Sequence, residues 1–198
     1  MEQPIQLTSI DVIASALEPA IPILGRLSSP DGAVTLMLSD IADASTTAEE
    51  LGPERWEQLV RDHHLVVEQL VAGHDGTVVR FEQDGFLASF NSAHTGLRAA
   101  VDMQRTFAGT AAGMRVGLHS GFVIANPDQL LGRNIVLAAR IAAIAKGGEI
   151  LASSTLKRYT ETDPTFRFEL RGEFHFKGLH GEHVVYAVQW RADQPQDS

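Results

Sequence analysis

The stretch FEQDGFLASF, residues 81–90, places the turn dipeptide Asp84-Gly85 between two short apolar runs. An Asp-Gly pair between alternating runs is a strong signal for a β-hairpin, because both central turn positions favour residues that tolerate positive φ angles. The stretch therefore predicts a hairpin whose arms are TVVRFE and GFLASF. Asp84 would lie at the hairpin tip, where it could shape the turn, hold a metal ion, or do both.

The bulk composition is that of an ordinary globular domain. Of 198 residues, 44% are apolar and 21% are charged, the formal net charge is −9, and the chain has no cysteine. An acidic chain with dispersed basic residues is a poor generic binder of nucleic acid or anionic lipid. No apolar run reaches the length of a membrane span, and the N-terminus lacks a secretory signal pattern, so we expect a cytoplasmic protein without disulfides.

Prolines and polar residues divide the chain into three parts. Residues 1–30 carry one short helical pattern, SIDVIASAL, followed by several prolines, and we interpret them as an N-terminal arm. Residues 31–190 contain the long periodic patterns and form the predicted domain. Residues 191–198 are a polar tail that we expect to fray.

Within the domain, apolar periodicity predicts strands and helices in mixed order. A buried strand over 33–41 precedes a helical segment at 45–74, and the hairpin follows. A helix over 92–108, a strand pair with a glycine bend at 113–125, and an apolar helix over 132–148 come next. This order predicts an α+β fold, ferredoxin-like in its core, in which a mixed, mostly antiparallel sheet carries helices on one face.

Two aspartates are candidates for chemistry. Asp40 ends the strand predicted over 33–41, so its carboxylate lies at the sheet rim; taken alone, it is more simply the N-cap of the next helix. If that strand neighbours the hairpin, Asp40 and Asp84 converge on one rim and repel each other. A divalent cation would remove this repulsion, and carboxylate oxygens favour Mg²⁺ or Mn²⁺ over Zn²⁺.

Arg140 is the charged residue of an otherwise apolar helical run, IVLAARIAAIA. One interpretation is a side chain that extends its charge to the edge of a buried face. The alternative is a guanidinium directed into a cleft, where its planar fork suits phosphate.

Five blocks of the sequence, taken in order, resemble the catalytic domains of class III nucleotide cyclases, the adenylate and guanylate cyclases. The blocks span about residues 33–190 and are VTLMLSDI, HDGTVVRFEQDGFLASF, MRVGLHSGFVI, LLGRNIVLAARIAAIAKGGEILAS and FHFKGLHGEHVVYAVQW. The resemblance implies a ferredoxin-like cyclase palm and a head-to-tail homodimer with active sites between the two chains. It implies conversion of a nucleoside triphosphate, ATP as the first expectation, to its 3′,5′-cyclic monophosphate and pyrophosphate in signal transduction.

The same resemblance implies roles for individual residues. Asp40, Asp84 and the backbone of Ile41 match the ligands of two Mg²⁺ or Mn²⁺ ions per site. Arg140 matches the arginine that stabilises the transition state, and Lys177 matches a lysine that contacts the triphosphate.

Several positions depart from the family pattern. The base-selecting positions carry Arg80 and Gln129 instead of the usual Lys and Asp. Gln83 replaces the glycine before the hairpin aspartate, Asp43 replaces a glycine of the phosphate loop, and Val136 replaces the transition-state asparagine. Losing one transition-state donor costs on the order of 10²–10³ in rate, and a carboxylate near phosphate repels it.

These departures leave three alternatives open. The chain is a slow cyclase with altered base selectivity, or a degenerate cyclase-like domain that binds nucleotide or dimerises as a regulatory module. The third alternative is a heterodimer with a partner that supplies the missing residues.

Overall fold

The computed structural model describes Ile10, Val12 and residues 32–122 and 127–191, without the side chains of 127–131. The described elements are β1 (Ala33–Ile41), α1 (Ala44–Leu51), α2 (Pro53–Gly73), β2 (Gly76–Glu82), β3 (Gly85–Phe90), α3 (Ala93–Phe107), β4 (Met114–Phe122), α4 (Pro127–Ala143), β5 (Ile150–Ser153), α5 (Ser154–Thr160), β6 (Arg167–Phe174) and β7 (His183–Gln189). The rest of the predicted arm and the tail beyond Arg191 lie outside the described residues. Among the described helices, none combines the length and apolar character that crossing a bilayer requires.

The seven described strands form one sheet in the order β2-β3-β1-β4-β5-β7-β6. Neighbouring strands are antiparallel except for β4 and β5, which are parallel, so the mostly antiparallel α+β fold is confirmed. β1 lies between β3 and β4, and Ser39 pairs with Phe86 of the hairpin. The end of β1 therefore lies beside the hairpin tip.

Helices cover both faces of the sheet, and the expectation of helices on one face was wrong. On one face, α2 and α3 pack over a core that includes Met37 and Phe86. On the other face, Ile135 and Ala138 of α4 pack in a core with Leu36 of β1. The near-continuous apolar run of β1 is the pattern of a strand buried on both faces, since successive side chains point to opposite sides.

The bend expected within a strand pair at 113–125 is also wrong, and residues 123–125 lie outside the described part of the chain. Residues Met114–Phe122 form the single strand β4, which pairs with β1 along its whole length. Gly117 lies in this strand because α4 crosses it closely: a Cβ there would lie 2.3 Å from the backbone nitrogen of Ala142. Gly117 allows close contact between helix and sheet and does not form a bend.

Helix α4 begins at Pro127 and ends at Ala143, about five residues earlier than predicted.

The hairpin turn lies one residue earlier than the Asp-Gly signal predicts. Glu82 pairs with Gly85, so the two turn residues are Gln83 and Asp84, and Gln83 takes the left-handed φ of 52°. The register of the arms decides this position, because a shift by one residue would turn the fully buried Phe86 to the other face.

Candidate active site

Asp40 and Asp84 line the same cleft at the rim of the sheet. Asp40 is the penultimate residue of β1, and Asp84 is the second residue of the hairpin turn beside it. The cleft has a volume of about 750 Å³, and α1 and the first half of α2 form its other walls. Both residues are nearly inaccessible, with exposures of 2% and 6%. Strand pairing thus brings the two buried carboxylates to one open cleft.

Arg115 binds Asp40 through a bidentate ion pair. Its Nε donates to Oδ1 over 2.6 Å, and its Nη2 donates to Oδ2 over 2.7 Å. The two residues are partners in the register of β1 and β4, so their side chains emerge at the same edge. The hydrogen bond to Asp40 raises the pKa of Arg115 against the opposing effect of burial, and the charges of Asp84 and Asp43 raise it further.

Asp40 is not the N-cap of the following helix. That position belongs to Asp43, whose side chain makes no capping hydrogen bond. Asp43 is exposed, lines the cleft, and takes a left-handed φ of 56°. A left-handed backbone favours glycine, so Asp43 adds both strain and negative charge to the cleft.

The cleft is strongly anionic. Among the described residues that line it, four carry a carboxylate, Asp40, Asp43, Glu57 and Asp84, and Arg115 carries the single positive charge. An excess of three negative charges disfavours a triphosphate unless cations lie between the two.

The carboxylate pair fits a divalent ion that is shared with a substrate. Mg²⁺ is commonly held by one or two carboxylates, completed by water and substrate phosphates. The part of the chain that the structure describes holds no group of three or more His, Cys, Asp or Glu side chains that could enclose an ion alone. Ile41, the expected backbone ligand, is buried and lines the same cleft.

The other predicted site residues lie elsewhere in the chain. Arg140 lies in the last turn of α4, and Lys177 is exposed in the loop between β6 and β7. Neither is among the described residues that line the carboxylate cleft. On β2, Arg80 donates from Nη2 to Oε2 of Glu82 over 2.6 Å, and the side chain of Gln129 lies outside the described set. The described part of one chain does not place Arg140 and Lys177 in the cleft of Asp40 and Asp84.

Asn134, two positions before Val136, is engaged in a structural network. Its Oδ1 lies 3.2 Å from Nε2 of His119, and its Nδ2 donates to the Phe122 carbonyl over 3.2 Å. Nδ1 of His119 lies 2.8 Å from Ser153 Oγ. Burial lowers the pKa of His119 to about 4, so the imidazole is neutral near pH 7. The network ties α4 to β4 and β5.

Sequence reasoning missed two residues of the cleft region. Arg115 lies inside the block MRVGLHSG, and the signal that could have singled it out is its place opposite Asp40 in the paired strands. His64 of α2 stacks on Phe81 with ring centroids 4.1 Å apart and lies close to the Gln83 backbone, beside the hairpin turn. Burial nevertheless lowers the pKa of His64.

Comparison with known families defines the class of protein. The family model described as the adenylate and guanylate cyclase catalytic domain matches residues 27–189. The chain belongs to this family.

Individual relatives and solved structures are similar to parts of the chain. The uncharacterized protein Rv0891c of Mycobacterium tuberculosis is 32% identical over 127 residues, which cover 63% of this chain and 44% of that protein. This chain therefore spans less than half the length of that relative.

Two solved structures share the fold at 20% identity. The adenylyl cyclase CyaB from P. aeruginosa matches with a TM-score of 0.70, covering 84% of this chain and 96% of that chain. The guanylate cyclase domain of RhGC from Catenaria anguillulae, in complex with GTP, matches with a TM-score of 0.69, covering 82% and 98%. The fold is thus the cyclase palm.

Proposed function

We propose that the chain is a nucleotide cyclase that converts a nucleoside triphosphate, ATP first, to its 3′,5′-cyclic monophosphate and pyrophosphate. The observation that carries the proposal is the meeting of Asp40 and Asp84 beside Arg115 in one open, anionic cleft. Membership of the cyclase family supports the reaction class.

The cleft residues have distinct tasks in this reaction. Asp40, Asp84 and the backbone of Ile41 would hold two Mg²⁺ or Mn²⁺ ions. When bound, the ions neutralise phosphate charge and lower the pKa of the ribose 3′-hydroxyl. Arg115 keeps the Asp40 carboxylate oriented and adds a positive charge near the triphosphate.

The reaction joins the ribose O3′ to the α-phosphorus and breaks the bond from that phosphorus to the oxygen bridging to the β-phosphate. The hydroxyl proton passes to solvent, and pyrophosphate leaves with the bonding electrons. We assign transition-state stabilisation to Arg140 and triphosphate contact to Lys177. Because both lie outside the cleft of their own chain, we propose that a second copy supplies them in a head-to-tail homodimer.

Incubation of the chain with each of the four ribonucleoside triphosphates and Mn²⁺ tests the proposal. We expect a cyclic product from at least one nucleotide, and a rate that Asp84→Asn lowers by roughly 100-fold or more. Asp75→Asn is the matched control, because Asp75 is an exposed turn residue at the start of β2 and leaves the rate unchanged. No product from any nucleotide contradicts the proposal.

A second candidate function is a nucleotide-binding module without turnover. Two observations favour it: Asp43 adds a carboxylate to the cleft, and Val136 places an apolar side chain in α4 where the chemistry needs a donor. A metal-dependent rise in melting temperature with nucleotide, without product, would support this function. Turnover in the double variant Asp43→Gly, Val136→Asn would then show that these two substitutions account for the missing cyclase activity. A robust rate in the natural chain rules it out.

A further inference from the structure

A second cavity lies beside α2 and is separate from the carboxylate cleft. Its volume is about 560 Å³, and it lies between α2, the end of α3 and the loop that leads to β4. Its walls include Leu59, Val66 and Phe107, whereas Trp56 and Val60 of α2 line the cleft instead. The size and the apolar walls are those of a small-molecule site.

His63 is the buried polar side chain that lines this cavity. It is 1% exposed, and neither ring nitrogen has a hydrogen-bond partner among the described residues. Its neighbours include the rings of Phe107 and Phe86, with centroids 4.9 Å and 6.4 Å away. A neutral imidazole offers one donor and one acceptor, and leaving both unpaired in a buried place is unfavourable.

The other polar side chains that line the cavity do not need a ligand, and among them Arg55 is exposed to water. Gln58 donates to Asp62 over 2.8 Å, and both side chains are exposed to water. Thr110 Oγ1 donates to the Phe107 carbonyl over 2.8 Å. His63 is therefore the described lining residue whose hydrogen bonds a bound molecule would complete.

We infer that this cavity binds a small, mostly apolar molecule that carries one neutral hydrogen-bonding group, which meets a His63 nitrogen that the ring turns toward the cavity, since both nitrogens are buried in the described structure. The apolar walls favour an aromatic or aliphatic body. A charged group is disfavoured beside His63, because burial holds the imidazole neutral by lowering its pKa to about 4. The inference is independent of the proposed cyclase activity.

Indole and indene are matched probes, because they share size and shape and differ in the indole N–H. Each is titrated into the ¹⁵N-labelled full chain, and amide shifts report the affinity and location of binding. We expect indole to bind with a Kd of roughly 0.1–1 mM and roughly fivefold more tightly than indene. The shifts should centre on Leu59, His63 and Phe107.

Variants separate the hydrogen bond from the cavity. His63→Phe keeps a buried ring without nitrogens, and we expect the preference for indole to disappear while indene still binds. Thr106→Trp places a large ring at an exposed lining position and should abolish binding of both probes. Its control is Arg105→Trp, an exposed neighbour on α3 that is not among the described lining residues.

Four results would overturn the inference: no binding of either probe, equal affinity of the natural chain for both, shifts centred away from the cavity, or a surviving indole preference in His63→Phe. If His63→Phe does not fold, the comparison of Thr106→Trp with Arg105→Trp still tests whether the probes bind in the cavity. The comparison of indole with indene in the natural chain still tests whether the bound probe forms a hydrogen bond.

Discussion

Both oxygens of Asp40 accept hydrogen bonds from Arg115, and the proposed ions need at least one of the same oxygens. The two demands are compatible, because each carboxylate oxygen has two lone pairs and the guanidinium uses one on each. Arg115 therefore orients Asp40 toward the cleft without closing it to an ion. At this single residue, structural stability and the proposed chemistry depend on the same contact.

Arg115→Ala should destabilise the fold, because it leaves the buried carboxylate of Asp40 without its bidentate partner. Arg115 is itself 23% exposed, so we expect a loss of roughly 1–3 kcal/mol in the free energy of unfolding, below that of a fully buried pair. Urea denaturation measures it. Arg98→Ala, which removes an ion pair between an exposed arginine and Asp163, is the control and should lose less stability. Equal losses would contradict this account.

The buried histidines predict a pH-dependent stability. Burial lowers the pKa values of His63 and His119 to about 4, below the unfolded value near 6.5. As the pH falls below 6.5, the unfolded chain therefore binds more protons than the folded chain. The two histidines lower the free energy of unfolding progressively between pH 6.5 and pH 4, and they have no such effect above pH 6.5. Each histidine should account for a loss of about 2 kcal/mol in the free energy of unfolding when the pH is lowered from 7.5 to 5.

Denaturation of His63→Phe over the same pH range checks this contribution. The variant should lose less stability than the natural chain on acidification, since one of the two buried imidazoles is gone. His175→Ala, which removes an exposed histidine, should follow the natural chain. If His63→Phe and the natural chain lost the same stability on acidification, His63 would not contribute to the pH dependence.

At the scale of strands and helices, the sequence could predict what local patterns encode. The apolar run of β1 and the arms of the hairpin were both identified, and their pairing brings Asp84 to Asp40. The turn position and the helix on the second face depend on register and on contacts distant in sequence. Gly117 shows the difference: locally it suggests a bend, but α4, much later in the chain, is the reason for it.

Gly117→Ala should separate α4 from the sheet. The new Cβ would lie 2.3 Å from the nitrogen and 2.6 Å from the Cα of Ala142, so backbone must move. We expect a loss of roughly 1–3 kcal/mol, seen as a lower melting temperature. Gly132→Ala is the control, because a Cβ at this position of α4 meets no atom of the described residues within 4 Å and alanine favours helix. An unchanged melting temperature in Gly117→Ala would contradict the close contact.

At the scale of the whole molecule, the proposed catalytic residues occupy separate places. Asp40 and Asp84, which we propose bind the metal ions, line the cleft, whereas Arg140 and Lys177 lie on α4 and the β6–β7 loop. Sequence resemblance suggested these residues and implied active sites between two chains, but the positions of the residues within one chain depend on how the chain folds. In a symmetric dimer, the cleft of each chain would meet Arg140 and Lys177 of the other chain, which forms two equivalent sites.

Co-expression of Asp84→Asn with Arg140→Ala tests this composite cyclase site most directly. Each variant alone forms dimers in which both sites lack one component, so little cyclic product is expected. Random pairing makes half of the dimers mixed, and each mixed dimer holds one complete site. We expect the mixture to recover about a quarter of the natural rate per chain. A mixture no more active than the separate variants, beside an active natural chain, would contradict the account.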